Sequence, residues 1–257
     1  MQLQRVILIF CLLFPLGAEA KRIVSLSPAI SAVLQELDAD KDVVAVTTQD
    51  FVLKRQRVGS FIRFSLEAVI ALAPDLIIYQ NFQETQIAPL MRLNRFQMLK
   101  VDFTDIGSID ETGRKITEFL ALPPAKVKKY WQSWLDFQRQ YRRPQALKFL
   151  ALVEYSGDFE QIFAMGQASY LSEMLVALGY KNCLISNKDY LKISQEIFYR
   201  KQKPDIILNF SLAPYPKKTY QGIRVINLNE RSLTLPSLNL SAKAGIILKK
   251  INEALKK

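Results

Sequence analysis

From Arg22 to about Leu122, short runs of β-branched and apolar residues alternate with segments whose apolar positions recur every three or four residues. Runs of the first kind have the length and composition of buried strands, and segments of the second kind have the periodicity of amphipathic helices. The pattern predicts strands over 23–26, 43–47, 76–79 and 98–101, and helices over 29–37, 66–72, 85–94 and 109–120. Strand and helix in regular alternation imply βα units around a largely parallel sheet. The alternation then restarts. Strands are predicted over 149–153, 182–185, 206–209 and 225–227, with helices near 171–178, 195–201 and 241–255. Two α/β lobes are expected.

Between them stand Pro123-Pro124 and then Val127, Trp131, Trp134, Gln138 and Tyr141, whose spacing of three and four marks one helical stripe. Proline suits a first helical turn, and Pro144 stops the helix at its far end. A helix of ~18 residues spans ~27 Å, enough to run along two small lobes. Both tryptophans of the chain lie on it, which favours an anchoring role over ligand stacking. The two halves also echo each other. Ser65-Leu66-Glu67 followed by Pro74-Asp75-Leu76-Ile77-Ile78 reappears as Ser194-Gln195-Glu196 followed by Pro204-Asp205-Ile206-Ile207-Leu208, with one residue inserted in the second copy. Each reads as a helix, a Pro-Asp turn and a buried strand.

The beginning of the chain changes the compartment. Arg5, the apolar run Val6 to Leu16 and Gly17-Ala18-Glu19-Ala20 form a charged region, a hydrophobic region and an A-x-A site in order, so residues 1–20 read as a signal peptide cleaved after Ala20. The run is shorter than the ~20 apolar residues a membrane span needs. Cys11 lies inside that run behind Phe10, a poor context for lipid attachment. The expected organisation is therefore a leader over 1–20, one lobe over 21–122, a linking helix over 123–143 and a second lobe over 144–257. Beyond the leader only Cys183 remains, so no internal disulfide can form and packed cores must supply the stability. The net charge of +11 is carried after residue 120. Such a surplus can serve nucleic acid or an anionic surface, yet Lys126, Lys128, Lys129, Arg139, Arg142 and Arg143 have the spacing of a solvated helix face. No nucleic-acid partner is expected.

The chain resembles the periplasmic binding proteins that serve ABC importers of cobalamin, haem and ferric siderophores. Arg22 to Ala29 at the mature start, Val58-Gly59, and Ser65-Leu66-Glu67 through Ala73-Pro74-Asp75-Leu76-Ile77-Ile78 carry the resemblance, which extends over 22–257. The opening motif is most similar to the cobalamin-binding branch. The resemblance implies two Rossmann-like lobes with central parallel sheets, joined by a single long helix that resists hinge motion, and a ligand held between them. It also implies a monomer in the periplasm and an ABC permease in the inner membrane as partner. In open α/β sheets ligands meet the loops at the carboxyl ends of strands. Those loops contain Phe61, Arg63, Phe82, Phe163, Tyr215 and Arg231, together with Phe51, Tyr155, Phe159 and Phe64. Aromatic walls with a few cations suit a flat or anionic metal chelate. In the resembling family a glutamate on each lobe pairs with transporter arginines, and Glu67 and Glu196 occupy those places, with Gln195 the rival for the second. Haem binders of the family usually carry a tyrosine after the Val-Gly that matches Val58-Gly59, where this chain has Ser60. The chain has no histidine. No protein metal ligand and no resident cofactor are expected; cobalt or iron would belong to the ligand. Tyr79 and Tyr215 remain alternative iron ligands.

Enzymatic function is disfavoured. Without histidine the commonest side chain titrating near neutrality is missing, Cys183 has no histidine to activate it, and neither G-x-G-x-x-G nor a Walker loop occurs. Glu154, Asp158 and Glu160 leave open an exported carboxylate-based hydrolase. A protein-interaction module on the same fold, without a small ligand, is the other alternative.

Overall fold

The computed structural model describes residues 21–199 and 203–256. The expected leader over 1–20 and the last residues of the helix anticipated over 195–201 lie outside the described residues. The first sheet has five strands, β1 (Ile23–Ser25), β2 (Val43–Val46), β3 (Gln56–Arg57), β4 (Leu76–Gln80) and β5 (Gln97–Val101), in the order β3-β2-β1-β4-β5. All its pairings are parallel. Helices α1 (Pro28–Glu36), α2 (Leu66–Ala71), α3 (Glu84–Arg92) and α4 (Ile106–Phe119) return the chain between strands. Three of these helices begin where the sequence supplies a side-chain cap: Ser27 accepts from the Ile30 amide, Ser65 from Ala68, and Asp105 exchanges a capping box with Ser108.

Helix α5 (Ala125–Tyr141) follows, starting after Pro124 as its prolines predict. Val127 and Trp134 of its stripe are buried, while Tyr141 is exposed. Trp134 stacks on Phe137 at 6.4 Å, and Phe137 meets Tyr141 at 4.5 Å. The helix packs on α4 on one side and on the last helix of the chain, α7 (Leu240–Leu255), on the other. Trp134 is buried within the apolar cluster that draws on both halves of the molecule.

The second sheet has seven strands: β6 (Lys148–Ser156), β7 (Gln161–Met165), β8 (Lys181–Asn182), β9 (Tyr190–Ile193), β10 (Ile206–Asn209), β11 (Thr219–Tyr220) and β12 (Ile223–Asn227). Helix α6 (Tyr170–Ala177) precedes β8. The central strands of this sheet, β12-β10-β6, are parallel, as expected, and the antiparallel strands β7, β9 and β11 are added toward the edges. The turn at Gly157 and Phe159, with φ of 55° and 63°, folds the chain back so that β7 runs against β6. A polar stretch that reads as loop therefore contains a hairpin. The predicted helix after Ser194 is a 3-10 segment, Gln195–Tyr199.

The internal echo has an atomic basis. Asp75 accepts the backbone N–H of Arg22 at 2.7 Å, and Asp205 accepts that of Lys148 at 2.7 Å. In each half the aspartate of the Pro-Asp turn ties the start of that sheet's first strand. The largest apolar cluster does not respect the boundary between halves. It runs from Leu34 and Leu37 through Val127 and Trp134 to Ile247 and Ile251, with a smaller cluster on the outer face of each sheet.

Candidate functional site

The carboxyl ends of the parallel strands in the two sheets face each other. Contacts across the gap fix this arrangement. Arg231 Nη2 of the second lobe donates to the carbonyl of Gln49 at 3.5 Å, and its guanidinium lies 4.5 Å from the Phe51 ring centroid. The Ile106 amide donates to Glu173 at 2.8 Å. Glu36 accepts from the amides of Leu238 at 2.7 Å and Asn239 at 3.3 Å. Burial raises the Asp189 pKa, and the charges of Asp102 and Asp105 on the first lobe add to it.

On the first-lobe wall, glutamines set the loop that carries Phe61 and Arg63. Gln83 Nε2 donates to the carbonyls of Leu26 at 2.8 Å and Phe61 at 2.7 Å, while Gln49 Oε1 accepts the Phe61 amide at 3.0 Å. Phe61 packs edge-on against Phe82 with centroids 5.9 Å apart, and Phe82 is 58% exposed. Arg63 is exposed beside them. Gly59 makes this loop possible. Its φ is 109°, and a Cβ there would meet the Arg63 carbonyl oxygen at 2.7 Å and Phe64 Cα at 2.8 Å. Ser60, at the position where haem binders usually carry tyrosine, spends its hydroxyl on the same turn, accepting the Arg63 amide at 2.8 Å. The sequence points to the aromatics but not to Gln83, because a buried glutamine bonded to two carbonyls leaves no local pattern.

On the second-lobe wall, asparagines play the same part. Asn227 Oδ1 accepts from Asn209 Nδ2 at 2.8 Å and from the Tyr215 amide at 2.9 Å, and Asn229 Nδ2 donates to the Ser211 carbonyl at 2.7 Å. The loop they hold turns Tyr215 inward. Its ring is only 3% exposed, stacks on Phe159 at 4.4 Å, and its hydroxyl donates to Asp158. The ligand-binding role anticipated for Tyr215 thus meets a side chain already used within its own lobe. Tyr79 is also buried, in the core of the first lobe. Phe163 of β7, 42% exposed, stacks on Tyr190 of the neighbouring β9 at 5.9 Å. It borders a cavity of ≈ 290 Å³ with Tyr155 and Lys192.

Glu67 is exposed in the first turn of α2, where its own backbone N–H and the Ser65 hydroxyl hold its pKa below the usual value. Glu196 is exposed and second in its 3-10 segment, the same place relative to its serine, while Gln195 Nε2 turns aside to the Asp158 carbonyl at 3.1 Å. The carboxylates considered for hydrolysis have other employment or none in common. The Tyr215 hydroxyl, then Lys217, stabilises Asp158 as the anion, so it is poorly suited to act as an acid. Burial pushes the Cys183 thiol up to about 12, which makes it inert at neutral pH. Among the described residues no group of three potential ligands could hold a metal ion.

Two α/β lobes with facing strand ends, held together by direct contacts, have the architecture of a two-lobed solute-binding protein. The family model for periplasmic binding proteins matches residues 23–212, and the chain belongs to that family. It is similar to the uncharacterized ABC transporter substrate-binding lipoprotein YvrC of Bacillus subtilis (strain 168), at 25% identity over 202 residues, 74% of this chain. The match spans 63% of that relative, less than two thirds of its length. Three solved structures from Vibrio cholerae share the fold. The haem-binding protein HutB matches with TM-score 0.76 at 18% identity, covering 91% of this chain and 99% of its own. The vitamin B12-binding protein BtuF matches with TM-score 0.69 at 17% identity, covering 92% and 98%. The siderophore-binding protein FhuD, solved with Fe3+-Desferal, matches with TM-score 0.73 at 14% identity, covering 92% and 99%. Haem, vitamin B12 and a ferric siderophore are thus bound on one fold, so the fold by itself does not select the ligand.

Proposed function

We propose that this chain is the exported solute-binding component of an ABC importer, that it holds a metal chelate, a corrinoid or a ferric siderophore, between its lobes, and that it delivers this chelate as a monomer to a permease in the inner membrane. The observation that carries this reading is the arrangement of Phe61, Phe82 and Arg63 on one wall with Arg231 on the other. Apolar edges suit the body of a chelate, and two arginines suit its carboxylates or phosphate through charge-assisted hydrogen bonds. Arg231 faces Gln49 and Phe51, so an anionic ligand group would compete with them for its guanidinium.

The protein need not ligate the metal. Ser60 is committed to a turn and the rings of Tyr79 and Tyr215 are buried, which supports shape and charge as the basis of recognition. In this reading residues 1–20 direct export to the periplasm and are removed, and Glu67 and Glu196 present one carboxylate per lobe to the transporter. Purification from the native compartment, with mass spectrometry and visible absorbance of whatever co-elutes, tests the proposal. A cobalt or iron chelate in equimolar amount is the expected finding. A sugar, an amino acid or a peptide in its place would contradict it.

A further inference from the structure

A cavity of ≈ 660 Å³ lies on the flank of the molecule, between α4 and α5 and away from the facing strand ends. Its size falls within the range of about 300–1,000 Å³ typical of small-molecule sites. Leu122, Pro124, Val127 and Trp131 give it apolar walls. One polar atom in the lining has no use within the fold: Thr117 is 4% exposed, and its Oγ1 has no hydrogen-bond partner. A buried hydroxyl in that condition costs free energy until an acceptor or a water meets it.

The charges around the cavity constrain what could enter. Asp110, whose carboxyl is buried, pairs with the exposed guanidinium of Arg114 four residues on. Glu118 and Lys128 add one charge of each sign. The lining therefore carries no surplus charge, so its field favours neither an anionic nor a cationic head group over a neutral one, and an ionic head group would still lose hydration on entering.

We propose that this cavity is a second small-molecule site, taking an uncharged amphipathic molecule whose apolar body rests on Leu122, Val127 and Trp131 and whose hydroxyl or carbonyl oxygen accepts a hydrogen bond from Thr117 Oγ1. The site is independent of whatever the cleft binds. It also borders the contact that holds the lobes together. A Cβ added at Gly113 would meet Leu238 Cδ2 of the second lobe at 2.6 Å and Val127 Cγ2 at 3.4 Å, so an occupant touching Val127 lies one side chain from Leu238. Filling the cavity would thus stiffen the packing of α4 and α5 against the second lobe.

Decan-1-ol is a suitable probe, and Trp131 reports its arrival. The only other tryptophan of the chain, Trp134, is buried on the same helix. Titration should give a saturable change in tryptophan emission that disappears in Trp131→Phe. Thr117→Val should weaken binding about threefold to tenfold, the loss expected for one hydrogen bond. Thr117→Ser, which keeps the hydroxyl, should stay within about twofold. Decanoate and decylammonium should each bind markedly less well than the alcohol. The proposal is overturned if emission does not saturate up to the solubility limit of the alcohol, if Thr117→Val binds like wild type, or if either charged analogue binds as tightly as the alcohol.

Discussion

Glu36 is the last residue of α1 in the first lobe, yet its carboxylate serves the second, where it accepts the amides of Leu238 and Asn239 just ahead of α7. Asn239 is the N-cap residue of α7 and Leu238 precedes it, so Glu36 fastens the helix start from the opposite lobe. Lys243 in the first turn of α7 is buried too; burial brings its pKa down to about 8, and the Glu36 charge partly offsets the shift. Glu36→Ala removes both acceptors and that charge together. Hydrogen bonds to a charged acceptor contribute about 1.5–3 kcal/mol, and a negative charge at a helix start contributes about 0.3–1 kcal/mol. Burial opposes these gains, as the raised Glu36 pKa reports, so a net loss of about 2–3 kcal/mol is expected. Glu36→Gln keeps an acceptor oxygen and should lose about 1 kcal/mol. Urea unfolding followed by circular dichroism measures both. Because the folded pKa of Glu36 lies above its ordinary 4.5, its protonation stabilises the fold fully below pH 4.5, and that contribution is lost as pH rises through the raised value. The advantage of wild type over Glu36→Gln should therefore shrink between pH 4.5 and neutrality. A loss under about 0.5 kcal/mol for the alanine variant would refute the reasoning, and so would equal losses for alanine and glutamine.

Gly59→Ala should destabilise by about 2 kcal/mol or more, read as a lowered melting temperature, since both its φ and the space around it exclude a Cβ. Cys183 should resist a thiol reagent at pH 8 in the native protein and react only on unfolding, because burial holds its pKa near 12. Glu67→Lys and Glu196→Lys together should abolish uptake in cells while ligand affinity, measured by calorimetry, stays near wild type.

The first lobe is legible in the sequence almost element by element, because buried parallel strands and amphipathic helices of ordinary length carry strong periodicity. The two-residue β3 escapes because Gln56 and Arg57 are exposed and polar. Legibility falls in the second lobe where pairing is antiparallel at an edge. In β7 Ile162 faces in and Phe163 out, behind a turn whose Phe159 adopts a left-handed conformation that its sequence does not advertise. Helix α5 is announced by its prolines and its Trp131 and Trp134 spacing. For the candidate site, the sequence picks out aromatic and arginine types but not their orientation. Phe61, Phe82 and Arg63 share one loop system, whereas the inward rotation of Tyr215 depends on Asn209 and Asn227, which are distant from it in sequence or on another strand. The fastening of the lobes through Glu36, Glu173 and Arg231 is likewise a tertiary fact. No single segment contains both partners.

Calorimetric titration of the purified protein with cobalamin, haem and a set of ferric siderophores tests the central claim most directly. The account predicts saturable, equimolar binding of a corrinoid or ferric siderophore, weakened by Phe61→Ala and weakened by about 2–5 kcal/mol in Arg63→Ala with Arg231→Ala, the range expected when charged groups that the bound ligand covers are truncated. Absence of binding across the whole panel, or tight haem binding with a tyrosinate-type visible spectrum, would contradict it.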